Sequence, residues 1–182
     1  MENKKLLEEI RSYWNNRADG YSRVNQEELH SEQKEKWKEV LLEQLPKKEK
    51  DQVQILDIGT GPGFFAILLA EEGYQVTAVD YTEQMLQEAK SNAADLADQI
   101  SFKRMDAQNL EFPKETFDYI VTRNVTWNLE HPKRAYREWQ RVLKPGGKIL
   151  NFDANWYAYL YDDKLKLGYE QDRQRAKEEQ VE

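Results

Sequence analysis

Cysteine is absent from this sequence. That excludes a disulfide framework, a thiol nucleophile and a cysteine-bound metal. Histidine is almost as scarce, His30 and His131 being the only two, so a zinc site would lack its usual ligands. No apolar run reaches the roughly 20 residues that cross a bilayer, and the opening MENKKLLEEI has no long apolar core of the secretory kind. These absences read as a cytoplasmic protein with no membrane segment. Positive charge is also in the minority, with 27 Lys and Arg against 34 Asp and Glu and a formal net charge of −7. Such a surface repels a polyanion, so nucleic acid is not an expected partner.

What is present suffices for one domain with a real core, at 182 residues. Aromatic residues, at 12%, argue against disorder. Residues 1–50 read as a polar helical region. Leu6, Leu7, Ile10, Tyr13 and Trp14 fit one helix face, and Trp37, Val40, Leu41, Leu42 and Leu45 fit another. Gly20, with Asn and Asp nearby, marks a break between them. Residues 51–182 read as the α/β core of one domain. VQILDI, QVTAVD, ISFKRMD, FDYIVTR and KILNFD are short strand candidates, and helical patterns or longer connections alternate with them. Gly73 suits a helix C-terminus, Thr82 a helix N-cap, Pro132 a first helical turn, and KPGG a turn. The alternation predicts a doubly wound, mostly parallel sheet with helices on both faces.

The informative segment is Asp57-Ile58-Gly59-Thr60-Gly61-Pro62-Gly63, between the first strand and the first core helix. Glycines there allow a tight turn and close approach of a ligand at the carboxyl edge of the sheet. The spacing is G-x-G-x-G, and a dinucleotide fingerprint would place its third glycine where Phe64 stands. A carboxylate at Asp57 repels a pyrophosphate and suits a ligand carrying an ammonium or sulfonium group. Asp80 ends the second strand roughly 20 residues further on, where a carboxylate takes both hydroxyls of a ribose. That placement serves NAD and S-adenosylmethionine equally. Asp106, which ends the third strand in Arg104-Met105-Asp106-Ala107-Gln108, can accept from an adenine amino group while the Ala107 amide donates to a ring nitrogen.

In these motifs the sequence resembles the class I S-adenosylmethionine-dependent methyltransferases, the small-molecule type with an N-terminal helical lid. ILDIGTGPGFFAILLA looks like the family's first motif, VTAVD its second, MDAQNLEFPKETFDYIVTRN its third and fourth, and LKPGGKILNFD its strand-five motif. The resemblance covers about residues 53–153 and keeps the family's order. It implies that Gly59, Thr60, Gly61 and Gly63 belong to a loop cradling the methionine part of the cofactor, with Asp57 near its amino group. Asp80 would hold the ribose, and Tyr81 and Met85 would lie against the adenine. Asp106, Ala107 and Gln108 would read the adenine edge, and Asn124 would approach the methionine part or the substrate. Tyr21 would close over the cofactor from a lid formed by residues 1–30. The sequence departs from the family in having no candidate for an antiparallel strand pair after the fifth strand.

The resemblance therefore implies methyl transfer to a small-molecule acceptor. The reaction is an in-line displacement at a sulfonium, favoured by a dry pocket because the charge on sulfur disappears as the methyl leaves. Aromatic faces can hold the cation, and Tyr13, Trp14, Tyr21 and Trp127 are available, though they read first as packing residues, with Tyr21 open to either role. No catalytic base is assigned among His131, Asp153 and Asn124. The aromatic run Trp156-Tyr157-Ala158-Tyr159-Leu160-Tyr161 reads as a helix packed on the sheet, or else as a pocket lining or partner contact. A NAD-dependent oxidoreductase and a non-catalytic cofactor-binding protein are the competing readings.

Overall fold

The computed structural model describes residues 2–155 and 157–178. By its contacts the chain forms two compact units, Met1–Phe152 and Asp153–Glu182. The boundary thus falls after the last strand, and residue 50 lies inside the first unit. The N-terminal helices α1 (Glu2–Leu29) and α2 (Gln33–Gln44) belong with the sheet because α1 packs on α4 (Glu83–Ala93) and α2 on α3 (Phe64–Glu71).

Five strands form the sheet: β1 (Ile55–Ile58), β2 (Val76–Asp80), β3 (Ile100–Arg104), β4 (Phe117–Arg123) and β5 (Leu143–Phe152). Their order is β3-β2-β1-β4-β5, and every neighbouring pair is parallel. Ile55 stands opposite both Val76 and Tyr119, which puts β1 at the centre. Side chains alternate across a strand. Leu56 and Ile58 therefore join Val79, Ile120 and Trp139 on the face covered by α5 (Pro132–Val142). Ile55 joins Leu41, Phe65 and Leu68 on the face covered by α2 and α3. All four β1 residues are buried, as expected of a strand with helices on both sides. Asp57 shares Ile55's face, and this alone takes a carboxylate into the interior.

Four local expectations are corrected. Helix α1 runs unbroken through Gly20, and the break lies at residues 30–32. Helix propensity is a weak prior that packing overrides. Here Ala18, Ser22, Asn25 and Leu29 are buried along one side of α1. Thr82 stands at the N-cap of α4, but its hydroxyl makes no cap bond. KPGG is a bulge inside β5 instead of a turn before it, since the register with β4 jumps from Phe117–Leu143 to Tyr119–Lys148. There Gly147 has no room for a side chain, because a Cβ would lie 2.8 Å from the Asp118 carbonyl oxygen. The aromatic run forms a single 3-10 turn, Ala158–Leu160, not a helix. Trp156 lies outside the described residues.

In the second unit, Tyr159 stacks on Tyr169 of α6 (Asp163–Glu178), with ring centroids 4.0 Å apart and planes 7° from parallel. No antiparallel pair follows β5 among the described residues.

Candidate active site

Chain order reverses at β1: β2 and β3 lie on one side, β4 and β5 on the other. Open α/β sheets bind ligands outside the carboxyl ends of the strands at this point. The glycine loop leaves β1 there. Gly59 and Gly61 have φ of +64° and +53°, a region that favours glycine. Gly59 also lies under Val125, whose Cγ2 would be 2.4 Å from an added Cβ. Gly61 faces the Tyr21 ring, 3.7 Å from where a Cβ would stand. Gly63 caps α3 and packs against Ala89 of α4.

Asp57 is buried beneath this loop. Its Oδ2 accepts from the Thr60 hydroxyl at 2.6 Å and from the Ala66 amide at 3.2 Å. Burial raises its pKa to about 7, with the nearby Asp80 carboxylate adding to the rise and the two hydrogen bonds opposing it. Asp57 and Thr60 line a small cleft together with Asn25, Gly61 and Arg123.

The larger cavity adjoins that cleft, sharing Tyr21, Gly59, Gly61 and Arg123 with it. Asp80 enters from the end of β2. Its Oδ2 accepts from the Gly61 amide at 3.0 Å and its Oδ1 from the Thr82 amide at 2.8 Å. Burial raises this carboxyl too, against the pull of the same backbone bonds. Tyr81 and Met85 lie beside it, and the Tyr81 hydroxyl donates to Glu8 of α1 at 3.1 Å. Asp106, Ala107 and Gln108 form the wall beyond β3. Asp106 Oδ1 accepts from the Gln108 amide at 2.8 Å, and Gln108 Oε1 accepts from the His131 amide at 2.6 Å. The Ala107 carbonyl accepts from Trp139 Nε1 at 2.8 Å. Asn124 lies at the end of β4 with φ +56°, a conformation that Asn tolerates better than most residues. Helix α1 closes the cavity with Leu7, Ile10, Arg11, Trp14 and Tyr21. Trp14 meets Tyr21 and Trp127 edge-on, at 5.6 and 6.1 Å between centroids.

The structure thus gathers Tyr21, Gly59, Gly61, Asp80, Tyr81, Met85, Asp106, Ala107, Gln108 and Asn124 around one cavity. It sets Asp57 and Thr60 in the adjoining cleft and Gly63 at a helix contact. His131 is exposed at the start of α5, and Asp153 is exposed in the second unit; neither lines the cavity. Among the described residues, no group of three or more His, Asp or Glu side chains could hold a metal ion. Among the described residues, no helix is long and apolar enough to cross a membrane.

Two residues went unnoticed in the sequence. Arg123, the last residue of β4, donates to both oxygens of Glu28 at 2.9 and 2.8 Å. Its guanidinium lies 4.9 Å from the ring centroids of Trp37 and Phe64. Asn25 is 7% exposed, and its Oδ1 has no hydrogen-bond partner. Only helical spacing on α1 could have hinted at it: Asn25, Tyr21 and Ala18 fall three or four residues apart, on one helix face.

Residues 56–151 match the profile of a family described as "Methyltransferase domain". The ubiquinone biosynthesis O-methyltransferase of Coxiella burnetii is 31% identical over 109 residues, which cover 59% of this chain and 47% of that protein. The ubiquinone/menaquinone biosynthesis C-methyltransferase of Rickettsia massiliae is 31% identical over 144 residues, covering 75% of this chain and 54% of that one. A phosphoethanolamine N-methyltransferase from Haemonchus contortus, solved with phosphomonomethylethanolamine and S-adenosylhomocysteine, superposes with a TM-score of 0.56 at 30% identity. That match covers 64% of this chain and 27% of the other. The chain spans about half the length of the curated relatives it matches.

Proposed function

This chain belongs to the methyltransferase domain family, and from that premise we propose that its cavity binds S-adenosylmethionine and presents the methyl group to a small-molecule acceptor. The observation that carries the reading is the convergence of Gly61, Asp80 and Asp106 on one cavity. They come from the carboxyl ends of three adjacent strands, β1, β2 and β3.

The donors and acceptors present fit the cofactor. Gly61 offers backbone without a side chain, so a ligand can approach closely. Asp80 keeps lone pairs beyond those that hold Gly61 and Thr82, and a carboxylate has capacity for two ribose hydroxyls as well. Asp106 supplies an acceptor for an exocyclic amine, with Met85 and Tyr81 on the cavity wall for the adenine faces. The cofactor supplies an electrophilic methyl on a sulfonium, and the protein supplies position and a dry surrounding. Trp14, Tyr21, Leu7 and Ile10 exclude water from above. Tyr21 and Trp14 also line the cavity, and an aromatic ring face can hold a cationic centre.

The relatives named above are O-, C- and N-methyltransferases, so likeness alone does not select the acceptor atom. A small acceptor is supported by the modest size of the cavity that α1 helps to line, about 130 Å³. The net charge of −7 argues against a nucleic acid. With 34% charged residues and no cysteine, the composition also suits the cytoplasm.

Calorimetry with S-adenosylhomocysteine tests the reading. One-to-one binding is expected, with no binding of NAD. Asp80→Ala should weaken it by about 1–3 kcal/mol, the usual cost of removing a charged acceptor. Absence of binding by the intact protein would end the proposal. Transfer of label from methyl-labelled S-adenosylmethionine into a small-molecule fraction, from a panel of phenols, carbon acids and amines, then assigns the acceptor class.

A further inference from the structure

The small cleft beside the main cavity has an unmet demand. Asn25 Oδ1 is a buried acceptor with no partner, and a buried polar atom left unpaired costs stability unless something meets it. Asp57, on the same cleft, is a second buried acceptor. Its Oδ2 holds Thr60 and Ala66. Arg123 is the only cation among the described lining residues, and Glu28 already pairs with it through both oxygens. With Glu28 counted, the formal charges around the cleft sum to zero or less, and its buried unpaired atom, Asn25 Oδ1, is an acceptor. The missing species is a small cation carrying N–H donors.

The space agrees. The cleft measures about 30 Å³, room for a group the size of one water molecule or one ammonium. It opens on the main cavity through Gly59, Gly61 and Tyr21, which line both.

We propose that Asn25 binds the α-ammonium of the cofactor's amino-acid end, sharing it with Asp57, so that α1 itself forms part of the cofactor site. This rests on the cofactor reading above. It adds a residue from outside the α/β core, 32 positions before Asp57 in the chain. It also supplies a contact through which the ligand holds α1 down. Asn92 of α4 braces the same arrangement. Its Nδ2 donates to Ser22 of α1 and to the Pro62 carbonyl of the glycine loop, both at 3.0 Å.

The test compares S-adenosylhomocysteine with 5′-methylthioadenosine, which keeps the adenosine and the thioether but lacks the amino-acid end. Binding of each is measured by calorimetry to the intact protein and to Asn25→Leu. The variant should bind S-adenosylhomocysteine about tenfold or more weakly and 5′-methylthioadenosine unchanged. Asn25→Asp keeps an acceptor of the same shape and should restore the preference for S-adenosylhomocysteine. It also serves as the test if Asn25→Leu fails to fold. Unchanged affinity of Asn25→Leu for both ligands would overturn the assignment and leave an ordered water as the partner of Asn25. Equal loss for both ligands would overturn it too, as a general disturbance of α1. If the unaltered protein bound neither ligand, the cofactor reading would fall first and Asn25's role with it.

Discussion

Glu28 and Arg123, 95 residues apart, meet in a two-pronged ion pair at 2.8 and 2.9 Å. The pair joins the last turn of α1 to the carboxyl end of β4, at the rim of the site. Glu28 Oε1 also accepts from Trp37 Nε1 at 3.1 Å, and Arg123 lies against the rings of Trp37, Phe64 and Phe65. Planar stacking with forked hydrogen bonds is a role that lysine cannot fill.

Truncating Glu28 should cost more than the usual surface ion pair. The two side chains are 20% and 26% exposed, so Arg123 would keep a largely desolvated charge without its partner. Glu28→Ala is expected to lower stability by about 1–3 kcal/mol, read from urea unfolding. Arg123→Lys should lose a comparable part, because the stack and the fork go together. A change below about 0.5 kcal/mol in both variants would show that the pair acts as an ordinary surface contact.

Asp57 predicts a pH dependence with a definite sign. Its carboxyl has a pKa of about 7 in the fold against an ordinary 3.8, chiefly because burial disfavours the charge and Asp80 lies close by. A raised acid binds more protons folded than unfolded. Its stabilising contribution is therefore complete below about pH 4 and is lost as pH rises through about 7. Asp57→Asn keeps an acceptor for Thr60 and Ala66 without the charge. Relative to the unaltered protein, this variant should gain on the order of 2–4 kcal/mol of stability between pH 4 and pH 8. Thermal unfolding of both proteins across that range measures it. A constant difference would mean that Asp57 is ionised throughout.

The glycines of the loop should not respond alike. An alanine at Gly59 would drive its Cβ to 2.4 Å from Val125 Cγ2 and would also be strained at φ +64°. At Gly61 the strain remains, but the nearest atom, on Tyr21, is 3.7 Å away. Gly59→Ala should therefore be the more destabilising by about 1–3 kcal/mol, and Val125→Ala in the same chain should recover part of that. Gly61→Val is expected to lose ligand binding while still folding, seen as normal unfolding with no shift on adding S-adenosylhomocysteine.

If α1 covers a ligand that must enter and leave, it belongs to the less stable parts of the fold. A lid of that kind gives fast amide exchange across Tyr13–Tyr21 in the free protein, strongly slowed by S-adenosylhomocysteine. The burial of Ala18 and the bonds from Ser22 and Gln26 to Asn92 favour a fixed helix instead. Equal protection with and without ligand would decide for that alternative.

Local spacing was enough to make the central scaffold legible. The short apolar run VQILDI, ended by a glycine turn, reads as a strand buried on both faces, and Ile55–Ile58 forms one. The glycines after Asp57 make a tight turn, Asp80 ends one short strand and Asp106 follows another, so all three land on one edge of a parallel sheet. These features depend on residues a few positions apart, and backbone geometry relates such residues in every fold. What the tertiary structure decided depends on residues far apart in the chain. Gly20 is carried inside α1 because the packing of that helix outweighs one weak helix former. KPGG bulges within β5 because Asp118 of β4 lies beside it, held by Lys48 and Lys144. Arg123 finds Glu28, and Asn25 comes to share a cleft with Asp57, only once α1 has been laid across the carboxyl ends of the strands. A polar residue on a helix looks like any solvated residue until the fold chooses which face of that helix is covered.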